Sequence, residues 1–163
     1  MNSVAEMEEL VGKIKKGNFM LLDIEYIQAT KSHQCIRKFC MLSKNGECEY
    51  GEFYPCKRFH ELELRFQKAF HYCRRNIHKL TYNPIHYSPE CRTSSTVVQK
   101  IVADYSCDFI LYKGGTVEKD LCERIGVQSY NIECLEGLRK ATTHNPRDEV
   151  YFYMKQLNDM GLL

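Results

Sequence analysis

The chain has 163 residues, 44% hydrophobic and 27% charged, with a formal net charge of +2. This composition suits one globular domain over residues 1–163 with a sizeable core, and excludes a disordered or low-complexity chain. Near-neutral charge announces no strongly charged partner, although it allows a local basic patch. No apolar run reaches the roughly 18 residues of a transmembrane helix, so no membrane association is expected. Met1-Asn2-Ser3-Val4-Ala5-Glu6 lacks the basic and apolar regions of a secretory leader. The expectation is an intracellular protein of cytoplasm or nucleus, with its nine cysteines as reduced thiols. Nine is also an odd number for a closed disulfide framework.

Ser3-x-x-Glu6 is a capping-box pattern. Val4, Met7, Val11 and Ile14 follow at helical spacing and Gly17-Asn18 can stop the helix, so residues 1–17 read as an amphipathic helix on the flank of the domain. Phe19 to Ile27 is the most apolar stretch and reads as a strand over 19–28, buried on both faces. Cys35–Ser43 and Glu47–Cys56 are joined by Lys44-Asn45-Gly46, and Asn-Gly between two strand-like runs signals a hairpin. The chain therefore opens as a three-stranded antiparallel meander. Leu62, Phe66, Ala69, Phe70, Cys73 and Ile77 form one stripe, which predicts a helix over 59–77. His78 to Arg92, with Pro84 and Pro89, reads as a loop.

Thr93-Ser94-Ser95 can cap a helix carrying Val97, Val98, Ile101 and Val102. A short buried strand follows at 108–112, and the chain turns at Lys113-Gly114-Gly115. Thr116 can cap a helix with Val117, Leu121 and Ile125 in line, closed by Gly126. Residues 130–135 read as a fifth strand. Pro146 stands where a first helical residue would, and Val150, Tyr153, Met154 and Leu157 give the last helix an apolar face. Hairpins first and βα units after give an α/β fold, a mixed five-stranded sheet with helices on its faces.

Asp23 and Glu25 are the only residues of Phe19 to Ile27 that are neither apolar nor aromatic. Side chains alternate along a strand, so both point to one face. Two anions in a buried strand need neutralising, and a divalent cation such as Mg²⁺ accepts carboxylate oxygens.

Four segments in order resemble the DEDD 3′–5′ exonucleases of the ribonuclease-H-like superfamily, over about residues 18–158. Asp23-Ile24-Glu25 resembles the first motif, an Asp-x-Glu in the first strand. Leu111 to Leu121 resembles the second, a strand end, a turn and a helix with an acid in its first turn. Asn131-Ile132-Glu133-Cys134-Leu135 is similar to the following strand. His144-Asn145-Pro146-Arg147-Asp148-Glu149 resembles the third motif of the histidine-bearing subgroup. The departures are Lys113-Gly114 where the family has His-Asn, Glu118 for an Asp, Glu133 for an Asp, and Glu149 five places after the histidine with Asp148 one earlier. At about 100° per residue, the stripe of Val150, Met154 and Leu157 puts Glu149 at the edge of the buried face and Asp148 toward solvent. Glu149 is therefore the expected ligand, with Asp148 as the alternate.

The resemblance implies a ribonuclease-H-like domain and hydrolysis of phosphodiester bonds in RNA or single-stranded DNA from a 3′ end. It implies two Mg²⁺ or Mn²⁺ ions on Asp23, Glu25, Glu118 and Glu149, with His144 as general base. Lys113, Gly114, Arg139, Lys140 and Arg147 are expected near substrate phosphates, and Tyr26 or Tyr112 near a terminal base. The alternative on the same fold is a non-catalytic module that binds nucleic acid or a protein. A homodimer is compatible with either.

Zinc is not expected. Cys35-x₄-Cys40 with His33, and His86-x₄-Cys91, suggest ligands, but Cys35 and Cys40 fall on opposite faces of a strand and no Cys-x₂-Cys pair exists. The pairing of most interest joins His78 or His86 with Cys91 and Cys73. The Maelstrom domain, a zinc-binding ribonuclease-H-like relative, has a Cys three residues before its late His and another in the next helix. Here those places hold Ala141 and no cysteine after Cys134.

Overall fold

A computed structural model describes residues 4–77, 80, 82 and 93–163. Most of the expected loop from His78 to Arg92 lies outside the described residues, and with it His78, His86 and Cys91. The first helix, α1, runs Val4–Lys16, and the apolar run forms β1, Phe19–Thr30. The Asn-Gly hairpin joins β2, His33–Ser43, to β3, Cys48–Glu52. Then come α2 (Leu64–Asn76), α3 (Thr93–Asp104), β4 (Phe109–Tyr112), α4 (Val117–Ile125), β5 (Ser129–Asn131) and α5 (Pro146–Asp159).

The five strands lie in the order β3-β2-β1-β4-β5. β1 is central, antiparallel to β2 and parallel to β4, and β4 and β5 are parallel. A meander followed by βα units on the other edge of the first strand is the ribonuclease-H-like topology.

β1 is apolar on both faces because both are covered. Leu21 joins Cys40 and Leu42 on β2 beneath α1 (Leu10, Ile14) and α5 (Val150, Met154, Leu157). Met20, Leu22 and Ile24 join Phe39 and Met41 beneath α3 (Val98, Ile101) and α4 (Val117, Leu121). The outer end of β1, Ile27 and Ala29, packs with Cys35, Leu62 and Phe70 in a third, smaller cluster. Each such large side chain taken fully out of water contributes about 1.5–3 kcal/mol before the entropy of ordering it.

Several boundaries differ from the sequence expectation. In α1 it is Leu10 and Ile14 that are buried, while Val4 is 68% exposed. The helix expected over 59–77 is a 3-10 turn, Phe59–Glu61, and α2 proper, because Leu62 and Glu63 are extended where Leu62 drops into the third cluster. β3 stops at Glu52: Phe53 N–H still donates to Arg37 C=O at 2.8 Å, and the chain then bends so that Cys56 meets Cys35. β5 ends at Asn131, whose side chain accepts from Glu133 N–H and turns Ile132–Cys134 into a 3-10 turn. α3 begins at Thr93 itself, so that the segment expected to cap it, Thr93-Ser94-Ser95, is already helical. Thr116 precedes α4 in an αR conformation with no side-chain cap bond.

The cysteines also depart from expectation at one place. Cys35 and Cys56 are paired as a disulfide. The hairpin register explains the meeting, because Lys38 lies opposite Glu52 and the same pairing carried toward Cys35 brings the segment around Cys56 across from it. Cys40, Cys48, Cys73, Cys107, Cys122 and Cys134 are free thiols.

Candidate metal centre

The centre lies where the carboxyl end of β4 stops short of β1. β4 pairs with β1 only through Phe19, Met20 and Leu21, so the next residues of β1 have no strand on that side. A crevice outside the carboxyl ends of parallel strands is where α/β sheets place their ligands.

Asp23 and Glu25 follow Leu21 at every second position and so share its face, under α5. Their partners on β2 are Cys40 and Lys38. A register shift just after Glu25 marks a bulge, a device that re-aims side chains beside functional sites. Glu149 comes from α5. Asn145 caps that helix by accepting from Arg147 N–H at 3.0 Å and Asp148 N–H at 3.3 Å, and Pro146 follows at the first helical position. Burial of Val150, Tyr153, Met154 and Leu157 sets the rotation of the helix.

The outcome is a trio. One carboxylate oxygen from each of Asp23, Glu25 and Glu149 lies within 4.8 Å of the others. Asp148 is exposed and stands outside it. Glu118, the fourth acid, is 6% exposed and is not within the trio. Its Oε1 accepts from the backbone N–H of Ile24 at 3.1 Å. That N–H belongs to the stretch of β1 that β4 leaves unpaired, so the longer Glu side chain serves the sheet edge. Gly115, at φ +72°, makes room for it, since a Cβ there would lie 3.2 Å from Glu118 Oε2.

The charges are poorly compensated. Burial and the neighbouring Glu149, Glu118 and Glu25 hold the Asp23 carboxyl well above its ordinary range. Burial, then Glu149 and Glu118, push Glu25 up to about 8, with Lys38 opposing. Burial raises Glu118 to about 7, against the hydrogen bonds from its own backbone and from Ile24. Asp23 Oδ2 is buried with no hydrogen-bond partner among the described residues. Buried acceptors are satisfied in nearly every native structure. An orphaned carboxylate oxygen facing two more carboxylates is the donor set of a hard divalent cation, all oxygen and negatively charged. The residues therefore fit such an ion.

The other expected residues are placed as follows. His144 is exposed on the segment before α5 and lines, with Glu25, Lys38 and Asp148, a cavity of about 510 Å³. Tyr26 is 38% exposed just past the bulge. Tyr112 is 6% exposed at the end of β4. Lys113 pairs with Glu133 at 3.3 Å, and Gly114 N–H donates to Asn131 Oδ1 at 2.9 Å, which ties the turn after β4 to the end of β5. Arg139 and Lys140 are exposed, and Gln156 bonds both the N–H and the C=O of Arg139. The Arg147 guanidinium lies over the Tyr50 ring at 5.6 Å.

Lys38 was missed by sequence reasoning. It stands opposite Glu25 and pairs with Glu52 at 3.8 Å. The signal was present, because Asn45-Gly46 sets the hairpin, but the register between β1 and β2 depends on a bulge that no residue announces.

No protein-family model matches the chain, and comparison with curated proteins finds no significant match. What assigns it to a broad class is the ribonuclease-H-like sheet together with a carboxylate cluster able to chelate a metal.

Proposed function

We propose that this chain is a metal-dependent nuclease, a 3′–5′ exonuclease acting on RNA or single-stranded DNA with Mg²⁺ or Mn²⁺. The single observation that carries the reading is the orphaned Asp23 Oδ2, buried beside the carboxylates of Glu25 and Glu149. In this reading Asp23, Glu25 and Glu149 hold the ions, with Glu118 behind them steadying β1 at Ile24. When bound, the ions would stabilise charge on the phosphate oxygens during phosphodiester hydrolysis. His144 takes the proton of the attacking water as general base. Lys38 neutralises Glu25 until substrate arrives and then faces a phosphate across the same cavity. Tyr26 offers an exposed ring to a terminal base. Arg139 and Lys140 before α5, Arg147 in its first turn, and Lys113-Gly114 after β4 are the groups assigned to the substrate phosphates.

One observation favours a second reading. Glu118 spends an oxygen on a backbone N–H, and Lys113 is already paired, as they would be in a binding module that cleaves nothing. The test is incubation of the chain with 5′-labelled single-stranded RNA and DNA under Mg²⁺, Mn²⁺ or EDTA. Stepwise shortening from the 3′ end with metal, and none with EDTA, is the expected result. Retardation of the oligonucleotide without shortening in any metal would leave the binding module.

A further inference from the structure

A second cluster of ligating side chains lies away from the carboxylates. His33 is the first residue of β2, and Cys35, two positions on, shares its face. Cys56 comes from the loop after β3. His33 Nε2 is 2.9 Å from Cys56 Sγ. The imidazole nitrogen and both sulfurs lie within 4.8 Å of one another.

We propose that in the reduced chain His33, Cys35 and Cys56 bind one zinc ion, which clips the loop after β3 to the start of β2. Two thiolates and an imidazole are the soft and borderline donors that select zinc over Mg²⁺ or Ca²⁺. A disulfide alone accounts for two of the three groups and leaves the convergence of His33 unexplained. Six further thiols stay unpaired among the described residues, including Cys40 and Cys48 with sulfurs 3.1 Å apart. A chain carrying that many free thiols suits a reducing compartment, where the Cys35–Cys56 bond opens. Opening consumes a dithiol reductant: the S–S bond takes two electrons and two protons from it, and the reductant closes its own disulfide. Zinc then displaces one proton from each thiol and takes the lone pair of the His33 ring. All three residues line one cavity of about 250 Å³, so water can reach the fourth position of the tetrahedron.

The clip has structural work to do. Cys35 belongs to the smallest of the three core clusters, with Ile27, Ala29, Leu62, Phe70 and Leu80. A cluster that small supplies little burial energy, and a metal cross-link is a common staple for such a region.

The test uses the full chain, reduced with a dithiol, desalted under nitrogen and titrated with Co²⁺ as a spectroscopic probe. The expected result is a thiolate-to-cobalt charge-transfer band that saturates at one ion per chain and is bleached by Zn²⁺. Carboxylates give no such band, so Asp23→Asn should leave it intact, as should Cys134→Ser. Cys56→Ser and His33→Gln should each weaken binding by more than the roughly tenfold to hundredfold that loss of a supporting contact costs. Should Cys56→Ser fail to fold, His33→Gln keeps both thiols and gives the answer. The proposal is overturned if the reduced wild-type chain shows no thiolate band, or if the band survives both substitutions unchanged.

Discussion

Glu118 allows a prediction in which stability and metal binding are read from one side chain. Without divalent ions its carboxyl titrates near 7, raised by burial from an ordinary 4.5. A carboxyl whose pKa rises on folding binds more protons in the folded state. Its stabilisation is complete below the unfolded value and is lost as pH rises through about 7. The shift corresponds to about 3 kcal/mol between pH 4.5 and well above 7, at about 1.4 kcal/mol per pH unit. For a chain of this size that is a fall of roughly 6–12 °C in Tm. Glu118→Gln isolates the effect, because its amide oxygen can still accept from Ile24 N–H but cannot ionise. Thermal melts in EDTA should show the variant close to wild type near pH 5 and the more stable of the two near pH 8.5. Adding Mn²⁺ should raise the wild-type Tm near pH 8.5, since a cation compensates the buried carboxylates that are ionised there. Identical pH profiles for wild type and variant in EDTA would refute the reasoning.

Three further outcomes follow from the same geometry. Asp23→Ala should abolish cleavage of a labelled oligonucleotide while leaving the EDTA Tm unchanged or higher, because one of the repelling acids is gone; a collapsed Tm with activity retained per folded molecule would make Asp23 structural. Gly115→Ala puts a side chain at φ +72° against Glu118 Oε2 and should cost about 1–2 kcal/mol for the left-handed backbone, read as a lower midpoint in urea. Gly51→Ala builds a Cβ into the Phe39 ring on the neighbouring strand and should cost about 1–3 kcal/mol by overpacking, with an unchanged midpoint counting against the packing described.

Much of this arrangement is legible in the residues. The apolar run around Asp23 places β1 at the centre of the sheet, Asn45-Gly46 makes the hairpin, and the stripe of Val150, Met154 and Leu157 brings Glu149 rather than Asp148 beside Asp23. Where reading failed, the deciding contact was distant in sequence or local and polar. What no residue announces is that one oxygen of Glu118 accepts from Ile24 N–H, an N–H left open because β4 ends after a three-residue ladder with β1. The fifth strand is cut short by an Asn side chain that outcompetes the ladder for Glu133 N–H. Cys35 and Cys56 meet through a hairpin register, and inspection of spacing within one strand compared Cys35 with Cys40 instead.

The central claim is that Asp23, Glu25 and Glu149 together hold a divalent cation. Calorimetric titration of Mn²⁺ into the metal-free chain, repeated with Asp23→Asn, Glu149→Gln and Asp148→Asn, tests it most directly. The account predicts saturable binding in wild type, loss of that binding in Asp23→Asn and Glu149→Gln, and no change in Asp148→Asn. Equal binding by wild type, Asp23→Asn and Glu149→Gln, or none by wild type, would contradict it.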